Sequence, residues 1–126
     1  MKSVLTLPAD HCTVATIHEP ELTNSVIIEA IGKQLEQAAK DADHRLVVNF
    51  FHVDRCSSSV LGKLVALRRK IMNARGRLTL CCCSGNMLEA LKVTGLRRLF
   101  DVFDSEPEAI EFMRQDVVAW KPGAEL

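Results

Sequence analysis

Apolar positions recur along the chain in two alternating rhythms. Val4, Leu5 and Leu7 suggest a first strand closed by Pro8-Ala9-Asp10, and Cys12 to Ile17 alternates as a second, so the two predict a hairpin. Ile28, Ile31, Leu35, Ala38 and Ala39 then recur at helical spacing, with Glu29, Lys33, Glu36, Gln37 and Lys40 on the opposite face. Thr23-Asn24-Ser25 offers candidate caps at its start, and Asp41-Ala42-Asp43-His44 ends it.

The next stretch organises the rest. Val47, Val48, Phe50 and Phe51 form a nearly continuous apolar run, as expected of a strand covered on both faces. It leads into Ser57-Ser58-Ser59, where hydroxyls can satisfy the unpaired N–H groups of a helix start. Val60, Leu64, Leu67 and Ile71 then repeat with helical period as far as Ala74-Arg75-Gly76, with Lys63, Arg68, Arg69 and Lys70 populating the solvated side.

A strand follows from Arg77 to Cys83, then a short helix carrying Met87, Leu88 and Leu91, a turn at Leu96 to Phe100, and a short strand at Val102-Phe103. Ser105-Glu106-Pro107-Glu108 is a capping-box pattern opening a last helix through Ile110, Phe112 and Met113. This order predicts a single-domain α/β fold: a mixed, mostly parallel sheet of about five strands flanked by about four helices. The domain is expected over residues 1–114, with residues 115–126 a loosely held tail whose one feature, Trp120, is an anchor onto the body or a partner.

Composition narrows the function. Sixteen Lys plus Arg balance sixteen Asp plus Glu, so no net field draws nucleic acid or an anionic membrane. No apolar run approaches the roughly 20 residues of a membrane helix, no secretory signal opens the chain, and a cytoplasmic location is expected. The five cysteines, three of them consecutive at Cys81-Cys82-Cys83, show no disulfide or zinc spacing and read as reduced, core-filling thiols. In a continuous strand Cys81 and Cys83 would face one side and Cys82 the other.

His52, Asp54 and Ser57 to Ser59 crowd together, but the local sequence is not Gly-x-Ser-x-Gly and residues this close in chain seldom align as a triad. No phosphate-cradling Gly-x-x-x-x-Gly-Lys-Ser motif occurs either. The expectation is a binding protein rather than an enzyme, with neither cofactor nor metal.

From about Leu46 to Ile110 the chain resembles the STAS domain, the family of bacterial anti-sigma factor antagonists and sulfate-transporter tails. The family's strand, Asp-Ser-Ser-Gly-Leu-Gly, helix, Gly, strand and later Thr/Ser-Gly-Leu are matched by Ser57-Ser58-Ser59-Val60-Leu61-Gly62, Gly76, Leu78 to Cys83, and Thr94-Gly95-Leu96. The resemblance places the family's phosphorylated serine on Ser58, with Ser57 and Ser59 as alternatives. It implies a partner-binding surface at Ser57, Ser58, Ser59, Val60 and Lys63. The implied partners are an anti-sigma factor that is a serine kinase, bound when Ser58 is bare, and a cognate phosphatase. Ser57 stands where the family has Asp and Val60 where it has Gly, which removes a fixed charge beside the acceptor and adds a branched side chain. The alternative function is a constitutive adaptor or accessory subunit of a signalling or transport assembly, never phosphorylated.

Overall fold

The computed structural model describes residues 3–119. Strand β1 (Val4–Ala9) pairs antiparallel with β2 (Cys12–Ile17) through a tight turn at Asp10-His11, with Ala9 opposite Cys12. Pro8 does not close β1, which runs on to Ala9. It lies on the outermost strand, where a residue without an N–H leaves no ladder bond unmade.

Helix α1 (Ser25–Asp41) takes Asn24 as its cap, the side-chain oxygen accepting from the N–H groups of Val26 at 2.9 Å and Ile27 at 3.2 Å. Its buried residues are Ile28, Ile31, Leu35, Ala38 and Ala39, the face the periodicity predicts. Asp43 and His44 then adopt left-handed backbone conformations and turn the chain into the central strand β4 (Arg45–Asn49). Helix α2 (Ser58–Asn73) returns the chain to β6 (Arg77–Cys81). Between β4 and α2 lies β5 (Arg55–Cys56), which pairs with β3 (Glu21–Leu22) in a separate parallel ribbon. A pair of two-residue strands is too short to leave a periodic signal, and the sequence pattern does not predict it. Helix α3 (Gly85–Val93), a 3₁₀ turn at Leu96–Leu99, strand β7 (Asp101–Phe103) and helix α4 (Glu106–Ala119) complete the chain.

The main sheet has the order β1-β2-β4-β6-β7, parallel except at the β1–β2 edge. It is the expected mixed, mostly parallel α/β sheet. Leu46, Val48 and Phe50 of the central stretch pack with the buried residues of α1, α2 and α3, while Val47 packs with Val14, Cys81, Ala109 and Met113 beneath α4. Alternate residues of β4 therefore feed two cores, which is why its sequence is apolar at successive positions.

Three expectations are corrected. Phe51 does not belong to the buried run: Phe50 is wholly buried, but the strand ends at Asn49 and Phe51 is 73% exposed. Strand β6 ends at Cys81, and Cys82 has a left-handed backbone, so the cysteines do not alternate between faces; Cys81 is buried while Cys82 and Cys83 are half-buried. Helix α4 continues to Ala119, beyond the point near Gln115 where the apolar period fades. Trp120 and the rest of the predicted tail lie outside the described residues. At the start of α4 the Ser105 hydroxyl donates to the Glu108 carboxylate at 2.8 Å and accepts from the Glu108 N–H at 3.4 Å, a hydroxyl–carboxylate version of the predicted box.

Candidate functional site

The serine corner is held from below by a chain of buried polar contacts. Asn49 ends β4 with its side-chain oxygen accepting from the Phe51 N–H at 2.8 Å and its amide donating to Glu106 at 2.7 Å. The loop is pinned again where the Asp54 and Arg55 N–H groups donate to the Pro20 carbonyl and the Ser57 N–H donates to the Leu22 carbonyl. The β3–β5 ribbon thus ties the segment preceding α1 to the segment preceding α2.

Ser57 is the N-cap residue of α2, but its hydroxyl caps nothing. It shares a 2.7 Å hydrogen bond with the hydroxyl of Ser59. Ser58 is exposed in the first turn, and its hydroxyl makes no hydrogen bond among the described residues. The first-turn N–H groups of α2 are left without a side-chain acceptor, at the end of the helix where the macrodipole favours an anion. Asn24→Ala is accordingly expected to cost about 1 kcal/mol of stability, whereas Ser57→Ala costs under about 0.5 kcal/mol because no capping bond is lost. Urea unfolding of both variants checks this; a larger loss for Ser57→Ala would overturn the uncapped geometry.

Of the other residues assigned to the surface, Lys63 lies alongside the corner and forms an ion pair with Glu29, bridging α1 and α2 and holding the Glu29 carboxyl below its usual range by that hydrogen bond. Its stem runs over Gly32, where an added Cβ would sit 3.3 Å from the Lys63 Cδ. Val60 faces inward. It is only 6% exposed and packs into the main core, so the branched side chain found where the family has Gly is absorbed inward.

Phe51 turns outward in the loop that leads to the serines, which the apolar run does not predict. Exposed Phe51 meets His52 edge-on with centroids 5.2 Å apart, and His52 stacks on His18 of the β2–β3 connection at 4.5 Å. No sequence signal separates Phe51 from Phe50, because successive residues of this stretch, such as Val47 and Val48, are both buried. His52 is engaged with His18, and the Asp54 carbonyl accepts from the Ser84 hydroxyl at 2.9 Å. Neither histidine nor carboxylate hydrogen-bonds to the serines among the described residues.

Burial holds four of the thiols, on both faces of the sheet, protonated. Burial pushes the Cys83 thiol up to about 12 and raises those of Cys81, Cys56 and Cys12. Among the described residues no group of three or more His, Cys, Asp or Glu is arranged to hold a metal ion, and no helix is long and apolar enough to cross a membrane. In native alkylation, Cys81 is expected to be protected as long as the fold persists, since it is both buried and protonated. Mass spectrometry after brief iodoacetamide treatment checks this; prompt Cys81 labelling would contradict the placement.

Comparison with solved structures gives the same fold. An anti-sigma factor antagonist from Mycobacterium paratuberculosis superposes with a TM-score of 0.77 at 20% identity, covering 88% of this chain and 92% of that one. An anti-sigma factor antagonist (STAS) domain protein from Planctomyces limnophilus gives 0.77 at 20%, covering 87% and 97%. The phosphorylated form of the Bacillus cell-fate determinant SpoIIAA gives 0.67 at 22%, covering 88% and 99%. No curated protein matches in sequence. The STAS domain model, however, matches residues 12–109, from β2 through the serine corner into α4. The fold, its serine corner and this match over most of the length agree, and the chain belongs to the STAS domain family.

Proposed function

We propose that this protein is an anti-sigma factor antagonist working by partner switching in the bacterial cytoplasm. In this reading it binds an anti-sigma factor with serine kinase activity while Ser58 is bare, and is released when that kinase phosphorylates Ser58. A cognate phosphatase restores the bound state. Ser57, Ser58, Ser59 and Lys63 form the contact surface, with Phe51 supplying apolar area beside them. The observation that carries the reading is the state of Ser58: an exposed hydroxyl with no hydrogen-bond partner among the described residues, in the first turn of a helix whose N-cap side chain makes no capping bond.

Phosphorylation there adds about −1.5 to −2 charges and three acceptor oxygens. The helix start accommodates the anion, so the fold persists and the charge acts on whatever docks against the corner. The similar protein SpoIIAA has been solved in both an unphosphorylated and a phosphorylated form, which supports the same chemistry here.

One observation favours the constitutive adaptor instead. Ser57 replaces the family's Asp and its hydroxyl is occupied by Ser59, so no carboxylate at that position marks the acceptor for a kinase. Phosphopeptide mass spectrometry on protein from its native cell separates the two. Modification at Ser58 that changes with growth condition is the expected result; an unmodified Ser58 under every condition would replace the switch with the adaptor.

A further inference from the structure

Cys56 and Cys83 lie on the face of the sheet covered by α1 and α2, whereas Cys81 and Cys82 pack with Cys12 on the face under α4. Cys56 lies in β5 immediately before Ser57, and Cys81, Cys82 and Cys83 close β6 and lead into α3. Cys56 and Cys83 are both half-buried and pack against the same core, the one beneath α1 and α2. Their chain segments are stitched together where the Ser84 hydroxyl, next to Cys83, donates to the carbonyl of Asp54, two residues before Cys56. After burial and Cys82, Cys56 adds to the upward push on the Cys83 thiol. Cys82 is drawn elsewhere: its left-handed backbone lets its N–H donate to the Phe103 carbonyl, and it packs against the core under α4.

We propose that Cys56 and Cys83 form an oxidant-driven disulfide that clamps the serine corner to the β6–α3 connection. With hydrogen peroxide as oxidant the chemistry balances. The Cys56 thiolate attacks one peroxide oxygen, the O–O bond breaks, and the departing hydroxide takes up the thiol's proton as water, leaving a sulfenic acid. The Cys83 sulfur then attacks the Cys56 sulfur, the S–O bond breaks, and the hydroxyl leaves as a second water with the Cys83 proton. Two thiols are oxidised and one peroxide is reduced. Because burial keeps both thiols protonated, the reaction is slow and answers sustained oxidation rather than the resting state of the cell.

The crosslink stands independently of the Ser58 reading; its consequence for switching rests on that reading. Ser57 to Ser59 follow directly on the crosslinked residue, so the clamp limits how far Ser58 can leave the body of the domain to enter another protein's active site.

The test uses the full chain treated with hydrogen peroxide, thiol titration, tryptic mapping without reduction, and hydrogen exchange. Free thiols are expected to fall from the five in the sequence to three. The new peptide joins Cys56 to Cys83, dithiothreitol reverses it, and Cys56→Ser prevents the loss of Cys83. The amides of Ser57 to Val60 should exchange at least about tenfold more slowly in the oxidised form. A link confined to Cys81, Cys82 and Cys83, a link between chains, or no link would overturn the proposal. A Cys56–Cys83 link that leaves exchange at Ser57 to Val60 unchanged would overturn the clamp. The mapping is made on the unsubstituted chain, so it decides the matter even if Cys56→Ser folds poorly.

Discussion

Gly76→Ala is expected to destabilise the fold by about 3 kcal/mol or more, the range reached when a core contact admits no new atom. Gly76 links α2 to β6, and a Cβ built there would lie 1.9 Å from the His44 carbonyl oxygen and 2.5 Å from the His44 Cβ. The obstacle is mostly backbone, and that backbone is held. The His44 carbonyl accepts from the Arg77 N–H at 2.8 Å, and the His44 N–H donates to the Ala39 carbonyl at 2.7 Å. His44 also occupies a left-handed conformation with φ of 62°, which leaves it little room to rotate. Relief would have to separate the α1–β4 and α2–β6 connections, and with them the ends of the two central strands. Against a total stability of about 5–15 kcal/mol this is a large fraction, and the melting temperature should fall by roughly 10 °C or more. Gly62→Ala is the matched control: that position in α2 has open space around it, so the substitution is expected to raise stability by about 0.5–1 kcal/mol. Thermal melting by circular dichroism checks both, and a Gly76→Ala variant melting within about 3 °C of the parent would refute the contact.

Ser58→Asp is expected to keep the fold and weaken partner binding at least about tenfold, or about 1.4 kcal/mol. The side chain starts exposed and unbonded, so nothing in the folded protein is lost by replacing it. The new carboxylate sits at the uncapped start of α2, where an anion is stabilised by about 0.3–1 kcal/mol, so melting should be unchanged or slightly improved. A partner that covers the corner must strip water from that anion or meet it with a cation, and an interface built for a neutral hydroxyl supplies none. Asp carries one charge on a planar head, so phosphoserine should have the larger effect. Calorimetry with the kinase recovered as partner, alongside melting, for the parent, Ser58→Ala and Ser58→Asp makes the comparison. Equal binding by Ser58→Ala and Ser58→Asp, or binding lost only with unfolding, would remove Ser58 as the switch.

The contrast between Asn24 and Ser57 shows how far local reading reaches. Both lie in polar clusters at helix starts, Thr23-Asn24-Ser25 and Ser57-Ser58-Ser59, each of which offers several candidate caps. Which hydroxyl or amide bonds which N–H depends on a side-chain rotamer and on competitors within a few ångströms; at α2 the competitor is Ser59, and it takes the Ser57 hydroxyl. Phe50 and Phe51 differ for a related reason. Hydropathy treats them alike, but Asn49 ends the strand with bonds to Glu106 and to the Phe51 backbone, and this turns the second ring out beside His52.

The sequence alone determined the order of the main-sheet strands and the helices, the buried faces of α1 and α2, the parallel sheet and the position of the serine corner. Those features follow from periodicity and capping, interactions between residues a few positions apart whose signal lies wholly within the window that is read. Only the tertiary structure decided that Ser58 is the unengaged hydroxyl, that Lys63 is held by Glu29, and that Cys56 and Cys83 pack against the same core. Each of these depends on a neighbour fixed by packing, either at a strained turn such as Cys82 or across long chain separations such as the 57 residues between Asn49 and Glu106. No local pattern records a contact whose partner is placed by the rest of the fold.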